Sequence, residues 1–256
     1  MVGIIGGSGI YDIPWLEDAH EEIIDTEYGQ AKTKIGYLEG HKAVFLARHG
    51  KSHTLMPSAV NYRANIKALF QLGVTDIFST YAVGGIDPSM NPGDFGILSQ
   101  FIDFTWGRAA TFFDKEGEIV HCDMTEPYSP KLRSIIRRAL EHAGQKYFDN
   151  QVYICTQGPR FETPAEIKAF SAMGATVVGM TGVPEVALAK ELGISFASIA
   201  VITNLAAGVS INPLSHQEVL DMFHMKMKVL TEILKQCAIE TSRNPSKVAG
   251  VKPING

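Results

Sequence analysis

The sequence predicts an α/β protein with one large domain, and three observations lead to this class. The chain has 256 residues, which is long enough to bury a substantial core. Hydrophobic residues make up 45% and charged residues 20%, as expected for a folded globular domain. Short apolar runs alternate with amphipathic stretches. We therefore expect a domain over residues 1–240 and a polar C-terminal tail over residues 241–256.

The short apolar runs are typical of buried strands. They are rich in β-branched residues and are bounded by glycine or polar residues. Because they alternate with helical patterns, they predict a mostly parallel sheet that is covered by helices. The predicted strands are Val2–Ile5, Ala43–Ala47, Ile77–Thr80, Val152–Thr156, Thr176–Met180 and Ser195–Thr203.

Three stretches predict helices. Apolar residues recur at helical spacing over residues 132–140 and again over residues 219–234. A third helix is framed by Pro164, which suits a first turn, and by Gly174, which suits a helix end. The closing stretch from Arg243 is polar and contains proline and glycine, so we expect it to fray.

Charge and cysteine content exclude several classes of protein. The formal net charge of -4 argues against a surface for duplex nucleic acid, which needs clustered Lys and Arg. The three cysteines are too few for a disulfide framework, and no Cys/His cluster suggests zinc. The N-terminal apolar run is too short for a signal peptide or a membrane span. We expect a soluble cytoplasmic protein.

Three turns at strand ends are suited to binding an anion. The turn Gly6–Gly9 offers backbone N–H groups and the Ser8 hydroxyl, although a plain tight turn is the alternative. Arg48 and His49 end the second predicted strand, where Arg can fork two donors onto phosphate. A surface salt bridge beside a core histidine is the alternative. The third turn presents the N–H of Ala82. Ligands of open α/β sheets gather at such strand ends.

Several short motifs occur in order between residues 2 and 237. They are Gly6–Gly9, Ala47–Gly50, Met56–Tyr62, Ala82–Gly85, Pro92–Asp94, Gln100–Asp103, Gly158–Thr163, Gly179–Val186 and Thr203–Asn204. Their residues and spacing resemble those of the trimeric purine nucleoside phosphorylases and their relatives, the methylthioadenosine phosphorylases. The resemblance implies the nucleoside phosphorylase fold, an α/β domain with a mixed central β-sheet flanked by helices. It also implies reversible phosphorolysis, in which a purine nucleoside and inorganic phosphate give free base and a sugar 1-phosphate, with no metal or organic cofactor.

Two residues distinguish the branches of this resemblance at the base. The methylthioadenosine branch is expected to have a small hydroxyl residue and an aspartate where this chain has Glu162 and Asn204. A 6-oxopurine carries a hydrogen on N1 that Glu162 can accept, and Asn204 can donate to O6 or N7. Adenine presents a lone pair at N1 instead. A polar group of the site that the wrong base leaves unpaired costs several kcal/mol of binding free energy. This corresponds to roughly a thousandfold preference for the matching base. The pair therefore predicts hypoxanthine and guanine nucleosides.

The sugar end leaves the 5′ group open. The resemblance implies that His216 binds the ribose 5′-hydroxyl, whereas a solvent-exposed histidine in a first helical turn is the alternative. Inosine and guanosine are the expected substrates, and S-methyl-5′-thioinosine or methylthioadenosine are alternatives. His121 matches a position that reaches the sugar pocket of a neighbouring subunit, which implies a homotrimer or a dimer of trimers.

The resemblance also implies how the remaining residues share the work. Asn204 helps the departing base most, since it donates more strongly as the purine gathers negative charge, while Glu162 orients the base. His49 joins these two as a catalytic residue. Phosphate is expected at Ser8, Arg48, His49, the Ala82 amide and Thr181. The expected walls are Phe161 and Val178 at the base and Met180 under the ribose, although all three are also ordinary core residues.

Tyr81 and Val83 depart from the family pattern, in which smaller residues are usual, so we expect the phosphate pocket to differ in shape. Two other classes compete with a phosphorylase. A nucleosidase uses water and has no need of Arg48, His49 and Thr181 around an anion. A non-catalytic purine sensor is the more distant alternative.

Overall fold

The computed structural model describes residues 1–7, 9–50, 55–116, 120–210 and 216–248, without the side chains of residues 216–220 and 223. Within this part of the chain, nine strands form one mixed sheet. The strands are β1 (Val2–Gly6), β2 (Glu17–Thr26), β3 (Gly29–Leu38), β4 (His41–Ala47), β5 (Asp76–Gly85), β6 (Phe95–Phe104), β7 (Tyr147–Thr156), β8 (Val177–Gly179) and β9 (Ser195–Leu205). The helices are α1 (Tyr62–Gln71), α2 (Pro130–His142), α3 (Pro164–Ala172), α4 (Glu185–Glu191) and α5 (His216–Arg243), with a short 3₁₀ turn at Pro57–Ala59.

The strand order is β2-β3-β4-β1-β5-β8-β7-β6-β9, and β9 also pairs with β5. The strands from β5 to β9 therefore close into a ring, and the other four extend from β5 as an open wing. Strand β1 runs parallel to β4 and β5, and β5 runs parallel to β9. The β2–β3, β3–β4, β5–β8 and β6–β9 pairs are antiparallel.

All six predicted strands are confirmed. Five of the nine strand pairs are parallel, including β6–β7 and β7–β8, so parallel pairing prevails as expected, but the other four pairs are antiparallel. Strands β2, β3 and β4 follow one another through short turns, and only antiparallel pairing permits such hairpins. Strand β2 also escaped prediction because its residues are mostly exposed and polar. The mixed sheet flanked by helices that the resemblance implies is confirmed.

Helices cover both faces of the sheet. Val2 and Ile4 of β1 share one buried cluster with apolar residues of α2 and α5, including Leu132 and Leu234. Ile5 belongs to a second cluster, with residues of α1 and α4. Alternate residues of β1 thus meet opposite helix layers, as expected for a strand buried on both faces.

The three helix predictions are confirmed, and α5 is longer than predicted. Helix α5 continues to Arg243, past the predicted boundary at residue 240. The Ser246 N–H then donates to Oδ2 of Asp76 at 2.9 Å. This hydrogen bond joins the chain after α5 to β5, and fraying of the tail stays a prediction. No helix in the described ranges is both long and apolar enough to cross a membrane.

Candidate active site

Parallel strands bring two of the predicted anion-binding turns to one edge of the sheet, whereas the third is not a turn, because Ala82 lies within β5, which continues to Gly85. Gly6 at the end of β1 lies in register with Ala47 at the end of β4. The Arg48 N–H donates to the Gly6 carbonyl at 3.0 Å. The Gly7 N–H donates to Oγ1 of Thr80 in β5, also at 3.0 Å. The first two turns therefore meet beside β5, as their positions at the strand ends predict.

The approach at Gly7 is possible only without a side chain. A Cβ atom there would lie 2.4 Å from the Thr80 carbonyl oxygen and 2.9 Å from Nη1 of Arg48. Neither the backbone oxygen nor the buried guanidinium has room to move away. Ser8, the next predicted ligand, lies outside the described residues.

A cavity of about 300 Å³ opens at this edge of the sheet. It brings together most of the residues that the sequence singled out, from both the anion-binding and the base-binding sets. Those lining it are Arg48, His49, Ala82, Phe161, Glu162, Val178, Met180, Thr181 and Asn204. Leu55, Met56 and Pro57 add an apolar section to its wall.

Glu162 is held between the end of β7 and the start of α3. The residue after it, Thr163, caps α3 through a reciprocal pair of hydrogen bonds with Glu166. The Thr156 hydroxyl donates to Oε1 of Glu162 at 2.7 Å. Burial raises the pKa of the Glu162 carboxyl, and the Thr156 hydrogen bond offsets part of that rise. Glu162 is therefore a partly desolvated carboxylate with a fixed orientation.

A β-bulge places Asn204. Val83 pairs with Ile202, but the next residue of β5, Gly84, pairs with Asn204, so Thr203 is the extra residue. Bulges of this kind re-aim side chains and are frequent beside active sites. The Thr203 hydroxyl lies 2.9 Å from Oδ1 of Asn204, and Nδ2 of Asn204 donates to the Leu205 carbonyl at 3.0 Å. Together these contacts orient the Asn204 amide at the cavity wall.

Tyr153 holds the loop that carries Met180 and Thr181 through hydrogen bonds to its backbone. Its hydroxyl accepts the backbone N–H groups of Thr181 and Gly182 at 3.1 and 3.2 Å. Because the Thr181 N–H is used in this way, the Thr181 hydroxyl is the group that remains for a ligand. A Cβ atom at Gly182 would lie 2.5 Å from the Tyr153 ring, so glycine permits this close packing.

Arg108 links the two loops of the cavity. It donates to the carbonyls of Thr156 and Gln157 at 3.3 and 3.1 Å, and to the Val183 carbonyl at 2.7 Å. The first two carbonyls precede the loop that carries Glu162, and the third follows Thr181. The sequence analysis missed Arg108, because a single arginine in a loop has no motif or spacing that marks it.

Arg48 is 1% exposed, so the alternative of a surface salt bridge is wrong. Its Nε and Nη2 atoms form a fork on Glu185 at 2.8 and 2.7 Å. Nη2 also donates to Ser79 Oγ at 2.6 Å, and Nη1 donates to the Thr80 carbonyl at 3.1 Å. Burial alone lowers the pKa of the guanidinium, but the Glu185 carboxylate outweighs it and raises the pKa. The two-donor fork that the sequence assigned to phosphate is occupied by Glu185, which had no predicted role.

The predicted histidines have different surroundings. His49 is 4% exposed, lines the cavity, and has Nδ1 2.8 Å from the Leu55 carbonyl. Because a carbonyl only accepts, Nδ1 carries the hydrogen in this contact. His121 is exposed and does not line the cavity of its own chain. The side chain of His216 lies outside the described part.

Among the residues that the structure describes, no cluster of three or more His, Cys, Asp or Glu side chains is arranged to hold a metal ion.

Comparison with known proteins shows the family of this chain. The Phosphorylase superfamily profile matches residues 1–238. A probable 6-oxopurine nucleoside phosphorylase of Thermococcus kodakarensis is 48% identical, with 93% of this chain and 91% of the relative covered. A probable S-methyl-5′-thioinosine phosphorylase of Methanocaldococcus jannaschii is 46% identical, with 90% and 89% covered. A methylthioadenosine phosphorylase from Schistosoma mansoni, solved with adenine, superimposes with a TM-score of 0.91 at 34% identity, covering 95% of this chain and 92% of that one.

Fold and cavity define a protein of the nucleoside phosphorylase class. The chain belongs to the Phosphorylase superfamily. Nucleoside phosphorylases are pentosyltransferases, so the expectation of an enzyme of this class is confirmed.

Proposed function

We propose that this protein is a purine nucleoside phosphorylase that cleaves 6-oxopurine nucleosides, inosine and guanosine, with inorganic phosphate. The observation that carries the proposal is the presence of Glu162 and Asn204 in one cavity with Arg48, His49 and Thr181. The first two groups suit an oxopurine, and the other three suit an anion.

The base-binding groups complement hypoxanthine and guanine. An ionised Glu162 only accepts hydrogen bonds, so it pairs with the N1–H of an oxopurine and opposes the N1 lone pair of adenine. The Asn204 Nδ2 group carries two hydrogens, of which the Leu205 carbonyl takes one. The other suits O6 or N7 of the base. Phe161 and Val178 line the same cavity and supply apolar walls for the ring.

Catalysis follows from charge that develops as the glycosidic bond breaks. The purine becomes negative, so a donor at O6 or N7 binds it more strongly in the transition state than in the nucleoside. The ribose becomes cationic at the same time. Phosphate bound beside Arg48, His49, Ala82 and Thr181, together with Ser8, stabilises that cation and then bonds to the anomeric carbon. Met180 packs under the ribose in this arrangement. Inorganic phosphate is a co-substrate, and the mechanism requires no metal or organic cofactor.

S-methyl-5′-thioinosine is the second candidate substrate. Leu55, Met56 and Pro57 add an apolar section to the cavity wall, which suits a methylthio group better than a hydroxyl. The role that the resemblance implies for His216, binding of the ribose 5′-hydroxyl, favours inosine and guanosine instead. The relative from Methanocaldococcus jannaschii carries the methylthioinosine name. In both cases the base is an oxopurine.

A purine salvage role in the cytoplasm and a homotrimer, or a dimer of such trimers, complete the proposal. His121 is exposed and does not line the cavity of its own chain, which agrees with a contact to the sugar pocket of a neighbouring subunit.

Phosphate-dependent turnover tests the proposal. Inosine, guanosine, adenosine, methylthioinosine and methylthioadenosine are compared with and without inorganic phosphate, and both sugar products are identified. We expect ribose 1-phosphate and free hypoxanthine or guanine, formed only when phosphate is present. Free ribose without a phosphate requirement indicates a nucleosidase. Tight base binding without turnover indicates a sensor. Either result rejects the proposal.

A further inference from the structure

A buried hydrogen-bond network lies behind the proposed phosphate site. Its centre is Glu185, the first residue of α4, which is 0% exposed. Besides the fork from Arg48, Glu185 Oε2 accepts from Ser79 Oγ and from the Tyr81 hydroxyl, both at 2.9 Å. All of the donors are buried. A desolvated carboxylate is stable only with such compensation.

We propose that Glu185 and Tyr81 are positioning residues that hold Arg48 in one orientation and thereby set the affinity for phosphate. The inference rests on the proposed phosphate site at Arg48. Tyr81 lines the cavity and Glu185 does not, but in this scheme both affect phosphate through the guanidinium, because the Tyr81 hydroxyl donates to Glu185.

The donors of Arg48 limit what it offers to an anion. A guanidinium has five N–H groups. Two are used on Glu185, one on Ser79 and one on the Thr80 carbonyl. At most one remains, on Nη1, and Nη1 is the Arg48 atom that a Cβ at Gly7 would meet at 2.9 Å. The anion therefore receives at most one N–H from Arg48, at the Gly7 turn.

Arg48 does not leave Glu185 to grip phosphate with its fork. Glu185 would then keep a buried charge without its main partner, and breaking a buried ion pair in this way is strongly destabilising. The charges of Arg48 and Glu185 also cancel, so Arg48 contributes an oriented N–H group to the anion more than a net positive charge. Phosphate binding consequently depends on how accurately Nη1 is aimed.

Tyr81 connects Arg48 to the loop of the cavity that carries Thr181. Its ring centre lies 4.7 Å from Cζ of Arg48 and 5.4 Å from the stacked ring of Tyr153. Tyr153 in turn accepts the Thr181 and Gly182 N–H groups. Arg48 and the Thr181 loop, two elements of the proposed phosphate site, are therefore held by one buried frame, the stacked rings of Tyr81 and Tyr153. The large residue at position 81, a departure from the family pattern, has a role in this frame.

The test separates phosphate from nucleoside in steady-state kinetics. We expect Tyr81→Phe, which removes one hydrogen bond to Glu185, to raise the KM for phosphate about threefold to tenfold, while the KM for inosine changes less than about twofold. Glu185→Gln should raise the phosphate KM more, because an amide presents an N–H to part of the Arg48 fork. Tyr128→Phe is the matched control. Tyr128 is also buried, but its hydroxyl has no hydrogen-bond partner in the described structure.

Three outcomes decide the inference. A selective rise in phosphate KM for Tyr81→Phe, absent in Tyr128→Phe, supports it even if Glu185→Gln does not fold. Equal changes in both KM values, or no change in either KM at any Tm, overturn it. Arg48→Met separates this failure from failure of the phosphate site itself. If that variant keeps the wild-type phosphate KM, the site is wrong. If its phosphate KM rises but that of Tyr81→Phe does not, only the positioning role fails.

Discussion

The Thr156 hydroxyl donates a 2.7 Å hydrogen bond to Oε1 of Glu162. Thr156 is the last residue of β7, so the contact ties the proposed base-binding carboxylate to a rigid strand. It also favours the ionised form of a group whose pKa burial raises. Orientation and charge of Glu162 therefore both depend on Thr156.

Thr156→Val should weaken inosine turnover. Loss of the hydrogen bond frees the carboxylate and raises its pKa further, so we expect kcat/KM for inosine to fall about tenfold at neutral pH. The acid limb of the pH profile should move to higher pH, because ionised Glu162 is the form that accepts N1–H. Thr156→Ser keeps the hydroxyl and should retain most activity. A valine variant with the wild-type pH profile would show that the contact does not matter.

Glu162→Gln should lose inosine activity and gain stability at neutral pH. The raised pKa means that the native chain binds a proton more tightly than the unfolded chain. The contribution of Glu162 to native stability therefore falls as pH rises through the unfolded pKa, about 4.3, towards the raised folded value. We expect the variant to exceed wild-type Tm at neutral pH and to match it at lower pH. Thermal unfolding across this pH range measures the difference.

Glu166→Gln supplies a control of opposite sign. Hydrogen bonds from Arg160 and from the Thr163 N–H lower the pKa of the half-buried Glu166 carboxyl to about 2. Its contribution is therefore present above the unfolded pKa and is lost as pH falls towards the folded value. We expect this variant to have a lower Tm than wild type at neutral pH. If both variants shift Tm in the same direction, the assignment for Glu162 is wrong.

Gly7→Ala should raise the KM for phosphate and lower stability. The added Cβ would lie 2.4 Å from the Thr80 carbonyl oxygen, so the turn must move away from β5 and from Arg48. Overpacking of this kind costs about 1–3 kcal/mol. Gly96→Ala is the matched control, because its Cβ would meet no atom closer than 3.4 Å. Phosphate titrations of both variants check the prediction, and equal KM values would contradict it.

The motifs predicted where the site lies, because strand ends and turn residues are local features. Glu162 stands next to a helix cap and Asn204 lies in an apolar strand. Both patterns are visible in the sequence. The contacts that orient them depend on tertiary pairing. The extra residue Thr203 appears only when β9 is set against β5. Glu185 is separated from Arg48 by 137 residues, and the spacing of the motifs does not indicate their contact.

Selection of oxopurines by Glu162 and Asn204 is tested most directly by the ratio of kcat/KM for inosine to that for adenosine, at saturating phosphate, in the wild type and in Asn204→Asp. An aspartate at position 204 accepts or shares a proton where adenine offers its amino group, so the variant should lose inosine activity and gain relative adenosine activity. We expect a wild-type ratio of about a thousand or more, and a fall of at least about tenfold in the variant. An unchanged ratio would contradict the assignment of the base site.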